Sequence, residues 1–367
     1  MHVIISMLIF GVIVLAHEWG HFIAARKNGV MVEEFAIGMG PILYSVKKGE
    51  TLYSVRWLPI GGMCRMLGED EESLDRRSFN SRPVIARIII ILAGAAMNLL
   101  LAYVLQLGLT AFQLTSTTVI SQVIENSPAS EAGLEAGDKI LKYNNTKVNS
   151  FEDASYAIMY DNPEGSLITV QKPSGEIVTK AVTPKYNAQD SRYVIGITAL
   201  QKASWFSSMA YTKEEHREIV NNLEKLTIPE FFSSSLNGMF FKVKLVLYGV
   251  RDLISLKLTP DDFMGPIGLV DTIGETYEVN LEQSGAAVAI LRLVDITILI
   301  SANLAVFNLL PFPALDGGRF LFLFIEALRG KPIDQKKEAV FHLVGIVILI
   351  GFSIFIAFND AFRLIGK

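Results

Sequence analysis

Two histidines, the glutamate between them and one distant aspartate are the residues whose types and spacing could do chemistry. His17-Glu18-Trp19-Gly20-His21 ends an apolar run from Val3 to Leu15 that carries no charge. In a helix, residues four apart project from one face, so His17 and His21 would stack. Two stacked imidazoles can bind one metal ion, and Glu18 stands at the edge of the same site. At hydrocarbon depth, two imidazoles and a carboxylate without a purpose would cost several kcal/mol of desolvation.

The His-Glu-x-x-His spacing is that of zinc-binding metalloprotease helices, but two imidazoles do not complete such a site. A catalytic zinc takes three protein ligands and leaves a position for water. The third must come from another His, Asp, Glu or Cys. The remaining histidines are His2, His216 and His342. Asp316 is the better candidate. It follows Asn303, Asn308, Pro311 and Pro313, where two prolines must break a helix and let a carboxylate leave its axis.

The elements that would carry these residues follow from composition. Of 367 residues, 51% are apolar, and the mean hydropathy is +0.38, which fits a membrane protein with a polar insert. The net charge of −4 offers no basic surface for nucleic acid. Cys64 is the single cysteine, so no intrachain disulfide can form. Four segments are long and apolar enough to span: Val3–Ala25, Val84–Gln106, Ala286–Leu310 and Ala339–Phe358. The first lacks a positive leader and a small-residue cleavage site, so it reads as a retained helix and not a signal peptide. Ten Lys and Arg residues between Arg26 and Arg87, and Arg329, Lys331, Lys336 and Lys337 near the end, place those two connections in the cytoplasm. Both termini and the long middle region then lie outside.

Between the first two spans, Val32–Leu67 has partly alternating apolar residues cut by Gly38, Gly40-Pro41 and Gly61-Gly62, which reads as strands turning back. A β-hairpin dipping beside the metal and a loop resting on the headgroups both fit. In the second span, Gly94-Ala95-Ala96 reads as a packing face, and Asn98 is polar at membrane depth. Arg292 and Asp295 on the third span are spaced to pair with each other.

From Ser116 to Ala203 the composition is that of a soluble domain. Strands are expected at Val119-Ile120, Val123-Ile124, Lys139–Tyr143, Leu167–Gln171 and Ile177–Val182, with a helix over Phe151–Tyr160. Ser127-Pro128-Ala129, Ala132-Gly133-Leu134, Gly137-Asp138, Ile140-Leu141 and Asn144 resemble a PDZ domain of the bacterial protease type. Such domains add an extended peptide at a sheet edge. A charged helix is expected over Glu214–Leu226, and an amphipathic one lying on the membrane over Phe231–Leu256.

His17-Glu18-x-x-His21, Asn308-Leu309-Leu310-Pro311-Phe312-Pro313-Ala314-Leu315-Asp316-Gly317 and the PDZ-like insert between them resemble the site-2 protease family of intramembrane zinc metalloproteases, along essentially the whole chain. The nearest resemblance is to bacterial members with a regulator-of-sigma role and one PDZ domain. Gly38-Met39-Gly40-Pro41, Gly265-Pro266-Ile267-Gly268 and Phe358-Asn359-Asp360 match as well. One departure is Ala93-Gly94-Ala95, where the family often has Ala-Gly-Pro.

The resemblance implies a polytopic α-helical membrane protein with about four transmembrane helices and a membrane-associated β-hairpin, plus an inserted extracytoplasmic α+β PDZ domain. Its parts would be a membrane core over 1–115, the PDZ domain over 116–203, an amphipathic segment over 204–262 and a second membrane core over 263–367. It implies one zinc ion held by His17, His21 and Asp316. Glu18 would move the proton from water to the leaving amine. Asn308, with Pro311 and Pro313, would position substrate or support the oxyanion. Tyr53, Val55 and Trp57 of the hairpin would pair with an unwound substrate strand. Substrates would be single-spanning membrane proteins, such as membrane-anchored anti-sigma factors already trimmed by another protease, and also remnant signal peptides. The PDZ domain would contact a peptide or ectodomain segment, in a bacterial inner membrane with the site towards the cytoplasm. The competing readings are a PDZ scaffold with a vestigial metal site and a membrane zinc protease of another class.

Overall fold

The computed structural model describes residues 1–69, 73–160, 165–188, 192–210, 220–257, 264–331 and 333–365. Two compact units divide the chain, one of Met1–Leu105 with Lys242–Lys367 and one of Gln106–Phe241. Among the described residues, four helices are long and apolar enough to cross a membrane. They are α1 (His2–Lys27), α2 (Val84–Phe112), Ala286–Leu309 and the Lys337–Asp360 part of a last helix, Gln335–Ile365. The second runs six residues beyond the expected Gln106, because Leu107–Phe112 contains nothing that stops a helix. Ile4, Leu8 and Val12, and Val340, Val344 and Val347, are at least half exposed. Faces of that kind have lipid as their natural solvent, and the protein is a membrane protein.

Inside the first unit, Phe22, Ala25, Val32, Phe35, Ile90, Ile91 and Leu323 form one buried cluster, which brings α1, the following strands and α2 together. Those strands are β1 (Val32–Lys48) and β2 (Thr51–Met66), paired antiparallel. Their register is not that of a simple hairpin. Phe35 pairs with both Tyr53 and Cys64, and Tyr53 pairs with both Phe35 and Val46. Each long strand is folded back on itself, giving four segments in the order 62–66, 32–37, 52–55 and 42–48. The interior segments are paired on both sides; the outer two are strand-paired on one side only.

The second unit is built on an antiparallel sheet. Its strands are β3 (Thr115–Val123), β4 (Lys139–Tyr143), β5 (Thr146–Lys147), β6 (Ser166–Gln171), β7 (Ile177–Val182) and β10 (Ile197–Lys202). They run in the order β10-β3-β4-β6-β7, with β5 on β4, while β8 (Lys185–Asn187) and β9 (Arg192–Val194) form a separate ribbon. The two short strands expected between Val119 and Ile124 are one strand. Short helices α3 (Pro128–Glu131) and α4 (Phe151–Tyr160) complete it, over a core of Ile120, Ile140, Tyr143, Ile158, Ile168 and Val170. Of the expected helix over Glu214–Leu226, 214–219 lie outside the described residues; 220–222 are helical, while 223–226 are not, and Lys225 bridges Ala203.

Helix α5 (Ile228–Ile254) covers most of the expected amphipathic stretch. Lys242 on α5 takes Asp295 at 2.8 Å, which corrects the expected Arg292–Asp295 pair; Arg292 is exposed. The cause is competition: a lysine ammonium from a neighbouring helix approaches closely enough for a charge-assisted bond. Helix α6 (Pro266–Ser284) begins at Gly265, and the buried Asp360 carboxylate accepts the Gly265 amide at 3.2 Å and the Gly268 amide at 2.9 Å. Orphan donors of one helix start are thus capped from the last helix. That contact gives the Gly265–Gly268 and Phe358–Asp360 motifs a joint structural role. The third span is α7 (Ala286–Leu309), followed by α8 (Asp316–Arg329) and α9 (Gln335–Ile365).

Candidate metal centre

His17 and His21 lie on one buried face of α1, each 7% exposed. Helix α7 stops at Leu309, ahead of Pro311 and Pro313, and α8 restarts at Asp316. Between them Ala314 takes a left-handed φ of 72°, and its amide donates to His342 Nδ1 at 2.9 Å. His342, a possible third ligand by residue type, instead braces the turn that delivers Asp316. Gly317 allows the turn to close: a Cβ there would stand 2.1 Å from the Leu310 carbonyl oxygen. The two further histidines are also elsewhere: His2 contacts Glu278 at 2.7 Å, and His216 lies outside the described residues.

Three donor atoms converge. His17 Nε2 and His21 Nε2 are 3.1 Å apart, and Asp316 Oδ2 lies 3.1 Å from the first and 3.3 Å from the second. Tetrahedral zinc with bonds of about 2.0–2.1 Å separates its ligands by about 3.3 Å. Bonding supports the same fit. The His21 Nδ1–H donates to the Ile90 carbonyl at 2.9 Å, so in the neutral ring Nε2 offers a lone pair. Asp316 Oδ2 is buried with no hydrogen-bond partner among the described residues. Lone pairs aimed at one point are at ease only around a cation, and the donor set suits zinc.

Helix α2 lines the back of this centre with Ile90, Gly94 and Asn98, spaced four apart on one face. Asn98 is wholly buried, and its amide lies 3.2 Å from His17 Nδ1. Gly94 sits against both rings and is more than the packing residue expected from composition. Nothing in the sequence alone tied these α2 groups to the site, although their spacing of four was visible.

Asn308 is drawn in, with Nδ2 3.5 Å from His17 Nε2. Pro311 and Pro313 shape the break between α7 and α8 and supply no donor hydrogen of their own. Glu18 turns towards β2, where a Cβ on Gly62 would lie 2.9 Å from its Cγ and the Cys64 amide faces its carboxylate. The folded-back strands therefore lie beside the centre. Tyr53 and Val55 have their backbones engaged on both sides, Tyr53 also packs against Phe22 and Phe35, and Trp57 is exposed. Interior strand positions have no free ladder groups, which bears on the pairing role expected of Tyr53 and Val55 but not on that of Trp57. The edge beside Glu18 is Gly62–Met66.

Comparison with known proteins finds relatives along nearly the whole chain. Residues 5–352 match peptidase family M50. The chain is 34% identical over 360 residues to a protein of Clostridium acetobutylicum named as a zinc metalloprotease, covering 98% of this chain and 97% of that one. It is 30% identical over 452 residues to the Regulator of sigma-W protease RasP of Bacillus subtilis, covering 99% and 98%. Zinc metalloprotease RasP of Bacillus licheniformis is likewise 30% identical, over 451 residues, with 99% of each chain covered.

Proposed function

This chain belongs to peptidase family M50, the site-2 protease family, and is a membrane metalloprotease; from that premise we propose that it is a zinc endopeptidase cutting transmembrane segments of single-spanning proteins. The observation that carries the reading is the convergence of His17, His21 and Asp316 at 3.1–3.3 Å. Zinc held by these three would polarise the scissile carbonyl and acidify a water molecule. Glu18 would take a proton from water as the water oxygen bonds to the scissile carbon, and pass it to the amine nitrogen as the C–N bond breaks. The Asn308 amide, aimed at the same corner, donates to the oxygen that gains charge.

A helix in lipid hides its amides in its own hydrogen bonds, so the substrate must unwind before it is cut. The edge at Gly62–Met66, strand-paired on one side only, would offer replacement partners to the unwound strand beside Glu18. The sheet of the second unit, with Ser127-Pro128-Ala129 and Gly137-Asp138, supports a PDZ domain acting as an external size filter. Arg26 and Lys27 after His21 support a centre towards the cytoplasmic face of a bacterial inner membrane, with the PDZ domain proposed to be extracytoplasmic. Anti-sigma factors trimmed by an earlier cut are the favoured substrate class, in keeping with the name of the Bacillus subtilis relative.

Co-expression with candidate single-spanning proteins tests this. Wild type should yield fragments whose ends, mapped by mass spectrometry, fall inside the apolar segment, and Glu18→Gln should leave the substrate whole. Equal cleavage by both forms would sink the reading.

A further inference from the structure

We infer that Asn98 is a positioning residue, whose side-chain oxygen accepts the Nδ1–H of His17 and so keeps the His17 Nε2 lone pair on the metal. The inference rests on the zinc reading above. Two rings that must do the same thing are held differently. His21 is fixed by the Ile90 carbonyl, an acceptor that can only take a proton from Nδ1, at 2.9 Å. Among the described residues, His17 Nδ1 has the Asn98 amide as its hydrogen-bond partner, at 3.2 Å.

As placed, Asn98 Nδ2 faces His17 Nδ1, and Asn98 Oδ1 is buried with no hydrogen-bond partner among the described residues. A neutral imidazole that offers Nε2 to a metal carries its proton on Nδ1, so two donors would then face each other. The two ends of a side-chain amide have nearly the same shape, and the hydrogen-bond partner decides which end points where. Turning the amide over puts Oδ1 against the Nδ1–H and turns the two-donor clash into a hydrogen bond. The same partnership of a ligating histidine with an outer acceptor fixes ring orientation in metal sites generally.

Two further observations make the role one of orientation and not of packing. The Asn98 backbone carbonyl is held independently by the Ser301 hydroxyl at 2.8 Å, so the side chain is not needed to anchor α2. Asn98 also lies about two turns from Ile90 on the same helix, so α2 faces one ring with each. Without Oδ1, nothing opposes the tautomer that places the His17 proton on Nε2, at the metal corner.

The test uses the purified full chain in detergent, with cobalt(II) and zinc as probes in competition with a chelator. Asn98→Leu and Asn98→Ala should weaken cobalt affinity about 10- to 100-fold and alter the visible cobalt spectrum. Asn98→Asp, which keeps an acceptor, should stay within about threefold of wild type on the same scale. Helical content by circular dichroism checks each fold, and if the leucine variant fails to fold the alanine and aspartate pair decides. Wild-type affinity and spectrum in the truncations would overturn the inference, as would an aspartate variant as weak as alanine. Wild-type protein that binds neither metal would bring down the metal centre itself, and this inference with it.

Discussion

A methyl group at Gly94 would stand 2.4 Å from His21 Nε2 and 2.7–2.8 Å from two atoms of the His17 ring. Alanine should gain up to about 1 kcal/mol of helix propensity at that position. Overlap against two buried rings costs about 1–3 kcal/mol and, more to the point, would displace the proposed ligands. Gly94→Ala should therefore purify with well under one zinc per chain by elemental analysis, and its cleavage rate should fall at least about tenfold. A variant with full zinc would show that the rings can give way. Residues within one helix turn, His17, Glu18 and His21, were readable because their geometry is local. Asp316 was readable because two prolines announce the break that frees it. Gly94 and Asn98 were visible as residue types only, since their use depends on which face of α2 meets α1, a matter of tertiary packing.

Alternation and Gly/Pro breaks showed that Val32–Leu67 contains strands, but they do not say which segment is interior. Register decides that, and here each strand doubles back, so Tyr53 and Val55 are enclosed while 62–66 and 42–48 are strand-paired on one side only. Arg65, exposed at the edge beside Glu18, and Tyr44, exposed at the far edge, separate the two routes. With Cys64→Ser and Glu18→Gln as background, Arg65→Cys should form a disulfide with a cysteine placed in the substrate's scissile region. Tyr44→Cys should not, because neighbouring strands are about 4.8 Å apart and it lies several strands away. Crosslinking at Tyr44 in preference to Arg65 would move the substrate to the other edge. At the helix scale the four spans were legible from hydropathy, whereas the Lys242–Asp295 pair and the Asp360 cap were not, as each joins distant helices.

For the molecule as a whole, one unit carries the proposed chemistry and the other the proposed filter. Removing residues 116–203 should let the protein cut a full-length, untrimmed substrate that wild type leaves whole, as judged by immunoblot of the cytoplasmic fragment. Substrate that stays intact would argue for a recruiting role instead. The strands β8 to β10 escaped the sequence reading, being short and flanked by ambiguous turns. The wide separation of the ligands has a consequence for biosynthesis. About 300 residues lie between His21 and Asp316, which at about 5–20 residues per second is about 15–60 s of translation. Throughout that interval the nascent chain holds two imidazoles and no third donor, in a membrane crowded with other newly inserted helices. With His17, His21 and Asp316 as the proposed ligands, the centre would stay incomplete through synthesis and close only once the penultimate helix is made.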